Sequence, residues 1–308
     1  MVKKLFTIFL FGVGILHANF EKHLKKCPDK PILKSIAKVD YIYMINLDQR
    51  PEKYNLSLQQ LAPYGITPYR FSAVNGWELS LETINDLGVK FASWMTRDQW
   101  GTCYPLKGDF TPQHEIVHEY GKNYFSHCMS RGAIGIVISH LSILQDALDS
   151  GYETIWVMED DIECIRNPHQ ISQLIEELDS LVGKNGWDIL FTDRDTKNQN
   201  GQYVPCTAFA WRPNFAPANP SKFGFRQVIS SNISRIGARY GAYSMIVRKS
   251  AMIKLLNFFK TYQIFLPFDM EFTLPNDISL FTVNNDVVST MIRASSDNGG
   301  PNYKKNTN

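Results

Sequence analysis

Three adjacent carboxylates, Glu159, Asp160 and Asp161, follow directly on the apolar run Ile155-Trp-Val-Met158. The run reads as a buried strand, so the charges collect at its carboxyl end. Negative charges packed at such a place repel one another unless a divalent cation or a network of donors compensates them. Hard ions such as Mg²⁺ and Mn²⁺ prefer carboxylate oxygens. Alternation along an extended chain predicts that Glu159 and Asp161 share one face while Asp160 points away. Glu159 and Asp161 are therefore the expected metal ligands, in the arrangement of a metal-diphosphate clamp. For the trio taken alone, a solvated acidic turn or helix start is the alternative.

A second constellation competes with the first. His114-Glu115-Ile-Val-His118 is a complete HExxH match, with Gly121 three residues beyond the second histidine. On a helix the two histidines would face one zinc ion and Glu115 would serve as base for an attacking water, as in metalloproteases. Against this, Tyr124 stands where a third histidine is wanted, and Glu119 adds a charge where such sites carry an uncharged residue. Gly121 would also break the helix early, and His127 is a third ligand only with a different geometry.

Alternating periods along the chain indicate what must position these groups. Val39-Asp-Tyr-Ile-Tyr-Met-Ile45 reads as a core strand, a polar turn ends at Pro51, and a helix follows to about Leu61. Tyr69-Arg-Phe-Ser-Ala-Val74 is a second strand, closed by Asn75-Gly76. A helical pattern from Ser139 to Leu148 precedes the strand that carries the carboxylates. Asn167-Pro168 opens a helix that ends near Gly183, and strands at Trp187–Thr192 and Ala242–Val247 bracket a long polar and aromatic segment, residues 193–227. A helix from Ser250 to Lys260 follows. This order predicts an α/β fold, a mainly parallel central sheet flanked by helices, with ligands beyond the carboxyl ends of its strands. Residues 88–130 lack a sustained period and read as an insertion in a domain spanning 38–295. Residues 296–308, polar and containing Gly299-Gly300-Pro301, are expected to be a disordered tail.

The chain has 308 residues, 44% hydrophobic and 13% aromatic, enough to bury a sizeable core. A net charge of +2 without a basic tract interleaved with aromatics excludes nucleic acid as an expected partner. Lys3 and Lys4, the apolar run Leu5 to Ile15 and His17-Ala-Asn19 have the form of a signal peptide over residues 1–18. A short anchor is the alternative, so membrane proximity is an expectation. The five cysteines include no CxxC pair, which points to buried thiols more than to a disulfide framework.

Four ordered blocks carry a resemblance. Tyr43-Met-Ile-Asn46-Leu-Asp48-Gln49-Arg50-Pro51-Glu52-Lys53, followed by Phe71-Ser-Ala-Val-Asn-Gly76, is similar to the opening INLDRRPER block of glycosyltransferase family 25. Arg131-Gly-Ala-Ile-Gly135-Ile136-Val-Ile-Ser139-His140 resembles its GxxGCxxSH block, and Val157-Met-Glu159-Asp160-Asp161 its acidic block. Gly241-Ala-Tyr243-Ser-Met-Ile-Val-Arg-Lys-Ser-Ala251, with Leu266-Pro-Phe-Asp269 downstream, completes the series. Gln49 and Ile136 depart from the residues common at their positions, arginine and cysteine. Neither change removes a charge that the chemistry evidently requires.

The resemblance implies a glycosyltransferase A type nucleotide-binding fold. It also implies transfer of a hexose, most often galactose, from a UDP-sugar with inversion, Mn²⁺ or Mg²⁺ being held by Glu159 and Asp161. Asp160 would assist the metal or hold the ribose. Asn46, Asp48 and Arg50 end the first strand, where uridine and ribose are expected, although Arg50 could make a structural ion pair instead. Gly135 would permit close backbone approach, and Ser139-His140 would open a helix whose amides favour an anion. Inversion needs a base: Asp269, among apolar neighbours, is the candidate, Asp193 the reserve, and His140 a further site residue. A glycan, lipopolysaccharide or hydroxylysine is the expected acceptor class. A fold that binds without catalysing is the remaining alternative.

Overall fold

The computed structural model describes residues 20–33, 36–108 and 111–306, so the leader expected over 1–18 lies outside the described residues. The first half runs β1 (Tyr41–Asn46), α1 (Pro51–Leu61), β2 (Tyr69–Ser72) and α2 (Leu81–Leu87). Four short strands follow, β3 (Val89–Lys90), β4 (Trp100–Cys103), β5 (Gln113–Ile116) and β6 (Asn123–Ser126), then the long helix α3 (Arg131–Asp149). Next come β7 (Thr154–Glu159), β8 (Ile162–Cys164), α4 (Gln170–Val182) and β9 (Ile189–Phe191). The last part holds β10 (Arg226–Val228), β11 (Ile233–Ile236), β12 (Ser244–Arg248), α5 (Lys249–Tyr262), α6 (Phe268–Glu271), β13 (Leu280–Val283) and β14 (Val288–Thr290).

Eight strands form the main sheet in the order β10-β11-β13-β9-β12-β7-β1-β2. Strand β1 runs parallel to both β2 and β7, and β9 parallel to β13, while β12 lies antiparallel between β7 and β9. The sheet is thus a mixed α/β sheet with its parallel part where the acidic block sits. Period-two alternation splits its side chains between two cores. Tyr41, Tyr43, Ile45, Ile155 and Val157 join α3 and α5 on one face. Ile42, Met44, Trp156 and Met158 join α4 on the other. Buried on both faces, these strands read as continuous apolar runs, which is why they stood out in the sequence.

The irregular stretch 88–130 forms a small sheet of its own, in the order β3-β6-β4-β5. This corrects the zinc-helix expectation. His114 and Glu115 lie on strand β5, where neighbouring side chains point to opposite faces, and His118 lies beyond its end. Each has another partner: His114 Nδ1 is 3.0 Å from Thr102 Oγ1, Glu115 accepts from Lys122 Nζ and Tyr124 Oη, and His118 Nδ1 meets Ile116 O. We expect His114→Ala to leave sugar transfer within about twofold of the parent and the metal content unchanged, since a surface substitution away from the cleft moves little. Zinc quantitation beside a transfer assay checks this, and loss of bound zinc with loss of a proteolytic activity would reverse the correction.

All five cysteines are unpaired. No described helix is long and apolar enough to cross a membrane. The tail differs from its expectation. Residues 296–306 fold back across the sheet's carboxyl edge, ending in a 3₁₀ turn at Asn302–Asn306. Composition suggested disorder, but specific long-range partners hold the segment.

Candidate active site

Register delivers the acidic block. Ile45 pairs with Glu159 across β1 and β7, and Asn46 with Ser72 across β1 and β2, so three parallel strands end at one edge. Beyond that edge lies a cleft bounded by the turn after β2, one side of α3, the carboxylates and the tail. Strand β7 stops at Glu159, and Asp160 and Asp161 sit in the turn to β8. Strand alternation no longer applies there, so all three carboxylates line the cleft. Asp160 does not point away as expected.

The carboxylates have unequal surroundings. Asp160 is fixed from behind: Asn46 Nδ2 donates to its Oδ2 at 2.6 Å and Lys53 Nζ lies 2.9 Å from its Oδ1. Asn46, itself buried, also donates to the Arg50 carbonyl and accepts from Arg70, so it braces the site without facing the cleft. Glu159 Oε1 lies 3.4 Å from His140 Nε2. Asp161 is left unsatisfied: its Oδ1 is buried with no hydrogen-bond partner, and its Oδ2 is 3.8 Å from Lys53. Burial, relieved by Lys53 and aggravated by Glu159 and Asp160, pushes the Asp161 carboxyl up to about 6. Burial alone would lower the Lys53 ammonium, but the charges of Asp161 and Asp160 outweigh it and hold its pKa above the ordinary value.

Among the described residues no three His, Cys, Asp or Glu side chains already converge as a metal centre. The donor set nevertheless fits a hard divalent ion. Three carboxylates face one lysine, and the buried Asp161 Oδ1 is an oxygen donor without a partner.

Helix α3 starts at Arg131 with Ser130 as its N-cap, so Ser139 and His140 lie in its interior and not at an anion-binding terminus. Gly135 serves packing within the protein. A Cβ there would lie 2.4 Å from the Val74 carbonyl, and one at Gly76 would lie 1.8 Å from the Arg131 carbonyl. The turn after β2 thus rests backbone to backbone on the start of α3. Ser139 Oγ accepts from Val74 N and donates to the Gly135 carbonyl, which pins that contact. His140 is buried, stacks on Phe268 at 4.2 Å between ring centroids, and reaches Glu159.

Phe268 leads to a second compartment, lined by Gly241, Tyr243, Asp269 and again Glu159. Asp269 Oδ2 accepts from Gly241 N at 3.0 Å. Burial, reinforced by the charge of Glu159, raises its pKa above the usual carboxylate range. Buried Arg212 anchors this region by joining Glu271 and the carbonyls of Tyr262 and Gln263. Asp193, the reserve base, is excluded by geometry. It is fully buried, bound to Arg239, Tyr243 Oη and Ser289 Oγ, and supports Tyr243 from behind.

Asp48 and Arg50 also fall outside the cleft lining. Asp48 is exposed and bonded to Arg70 and Ser72 on the outer edge of β2. Arg50 takes the structural alternative: itself buried, it contacts Asp297, Ser295 and the exposed Glu52. Sequence reasoning assigned no role to Lys53, Trp77 or Asp297, all of which line the cleft. Only Lys53 lay within a quoted motif.

Residues 39–272 match the family model described as Glycosyltransferase family 25 (LPS biosynthesis protein). A glycosyltransferase 25 family member from Aedes aegypti is 30% identical over 176 residues, 57% of this chain and 24% of that protein. One from Drosophila melanogaster is 31% identical over 176 residues, with the same shares covered. An inactive glycosyltransferase 25 family member 3 from Homo sapiens is 24% identical over 160 residues, 52% of this chain and 22% of that protein. The matched part spans about a quarter of the length of these curated relatives. Because the family match runs from the first core strand through the acidic trio and His140 to beyond Asp269, the chain belongs to glycosyltransferase family 25.

Proposed function

We propose that the chain transfers a hexose, galactose first among the candidates, from a UDP-sugar to a hydroxyl group of a glycan or lipopolysaccharide, with inversion at the anomeric carbon. One observation carries this reading. Glu159 is common to both compartments, so a site built of carboxylates and lysine adjoins a site that holds a raised carboxyl. Donor diphosphate belongs with the first and acceptor hydroxyl with the second.

Asp161 and Glu159 would hold Mn²⁺ or Mg²⁺, with Asp160 kept in place by Asn46 and Lys53. Such an ion, when bound, neutralises the diphosphate as it leaves. Asp269 takes the acceptor proton as the new bond from acceptor oxygen to anomeric carbon forms and the bond to the diphosphate oxygen breaks. His140 keeps Glu159 and Phe268 in register across the boundary. Cys206, Ala208, Phe209 and Ala210, from the segment 193–227, line a further pocket together with Asp269 and would help to choose the acceptor, a hydroxylysine being the other candidate.

A catalytically inactive binding module is the second reading, favoured by the relatives whose names include the word inactive. Calorimetric titration of the full chain with UDP, UDP-galactose and UDP-glucose, in Mn²⁺ and then in EDTA, tests the donor class. We expect binding with Mn²⁺ that weakens at least tenfold in EDTA. Equal binding under both conditions would remove the metal. Absence of any nucleotide binding would remove the donor assignment, and binding without turnover would favour the inactive module.

A further inference from the structure

We infer that the segment Ser295–Asn298 is a wall of the donor site, held there by an ion pair between Asp297 and Arg50, and that these two residues position donor-binding groups without reacting themselves. The inference rests on the donor reading above and joins Arg50 to a segment, Ser295–Asn298, beyond the 39–272 family match.

Ser296 and Asn298 line both compartments, the only segment besides Glu159 and Ile136 that the two linings share among the described residues. A donor whose diphosphate lies at the carboxylates and whose sugar reaches toward Asp269 must pass beneath them. The segment is tied down from several directions. Asp297 Oδ2 meets Arg50, and both side chains are buried, at 7% and 6% exposure. Its Oδ1 accepts from Tyr303 N, within the closing turn, and its carbonyl accepts from the Trp77 indole at 2.8 Å. Ser130, the N-cap of α3, donates to Asn298. The fit is close enough to exclude a methyl group: a Cβ on Gly132 would lie 2.6 Å from the Asn298 carbonyl and 2.8 Å from that of Asp297.

A free polar tail would not hold such a place, because ordering it costs chain entropy that nonspecific contacts do not offset. A buried ion pair loses most when one partner is removed and the other stays behind unpaired. Arg50 therefore acts on the donor through Asp297, which reconciles its position beside the nucleotide end of β1 with its absence from the cleft lining.

Two substitutions displace the wall by unrelated means. Asp297→Ala cuts the ion pair, and Gly132→Ala inserts a methyl group under the strap without touching a charge. UDP-sugar binding is measured on the full chain by titration calorimetry with Mn²⁺, next to kcat, KM and the melting temperature. Each variant is expected to raise the donor Kd and donor KM about tenfold or more, with kcat changed less than threefold. Asp297→Glu should recover part of the loss, and Arg50→Ala added to Asp297→Ala should cost no further affinity, since the pair acts as one unit. Parental donor affinity in folded Asp297→Ala and Gly132→Ala would overturn the wall. Tighter binding would overturn it equally, because the segment would then be an obstruction. If the parent binds no nucleotide, the donor reading itself falls and the wall with it, an outcome separate from the other two.

Discussion

Asp161→Asn is expected to lower kcat/KM for sugar transfer by about two orders of magnitude or more, while the melting temperature at pH 7 holds or rises. The two effects have one origin. Asp161 Oδ1 is buried without a partner and the carboxyl is pushed up to about 6, so the fold carries an ionised group in a place that disfavours charge. A group kept at such a cost is a functional candidate, because strain of this kind persists where the site's chemistry uses it. Asparagine keeps the shape and removes the charge. Loss of one anionic oxygen from a divalent-ion site is worth several kcal/mol, and about 1.4 kcal/mol is a factor of ten in rate. Lys53 retains Asp160 at 2.9 Å, so the variant leaves no unpaired cation behind. Kinetics at saturating Mn²⁺, with scanning calorimetry on the same samples, separates the outcomes. Unchanged activity would remove the metal clamp, and a fall of more than about 5 °C in melting temperature would make Asp161 a structural residue.

How much of this was legible in the sequence depends on the range of the interaction that fixes each element. Strands β1, β7 and β12 are buried on both faces, and their apolar runs announced them. The carboxylates were legible because their chemistry is local. What failed was geometry decided by distant partners. His114-Glu115-x-x-His118 carries a zinc motif, yet pairing with β4 makes it a strand. The helix expected to open at Ser139 left Gly135 outside it, although Gly132 and Gly135 both stand inside α3, where the turn at Gly76 and the segment at Asn298 press on its backbone. The orientation of Asp160 followed from strand alternation that ends one residue earlier. Arg50 and Asp297 are 247 positions apart, and no local pattern connects them. Lys53 was visible within its block, but only the fold sets it against Asp160.

Asp269→Asn carries the second large expected effect: kcat falls by about 10² to 10⁴, the range that a positioned base contributes, while the UDP-sugar Kd stays within about threefold. Asparagine can still accept from Gly241 N, so the loop keeps its hydrogen bond and only proton uptake is lost. The pH dependence distinguishes a base from a prop. Burial and the Glu159 charge raise the pKa of Asp269, and a base must be deprotonated to act, so parental kcat/KM should rise with pH through a limb lying above the ordinary carboxylate range. In the asparagine variant that limb should vanish and leave a low, flat rate. Stability has the opposite sign: a carboxyl whose folded pKa is raised binds its proton more tightly in the folded state. Its contribution is complete below the unfolded pKa and is lost as pH rises through the folded value. The parent should therefore lose stability relative to Asp269→Asn over the same interval in which it gains activity. Glu159 lines the same compartment as Asp269 and is in contact with His140, so the limb is assigned by its loss in the variant and not by its position alone. A variant that keeps the limb, or that loses donor affinity in step with kcat, would place the base elsewhere and leave Asp269 as the brace of the Gly241 turn.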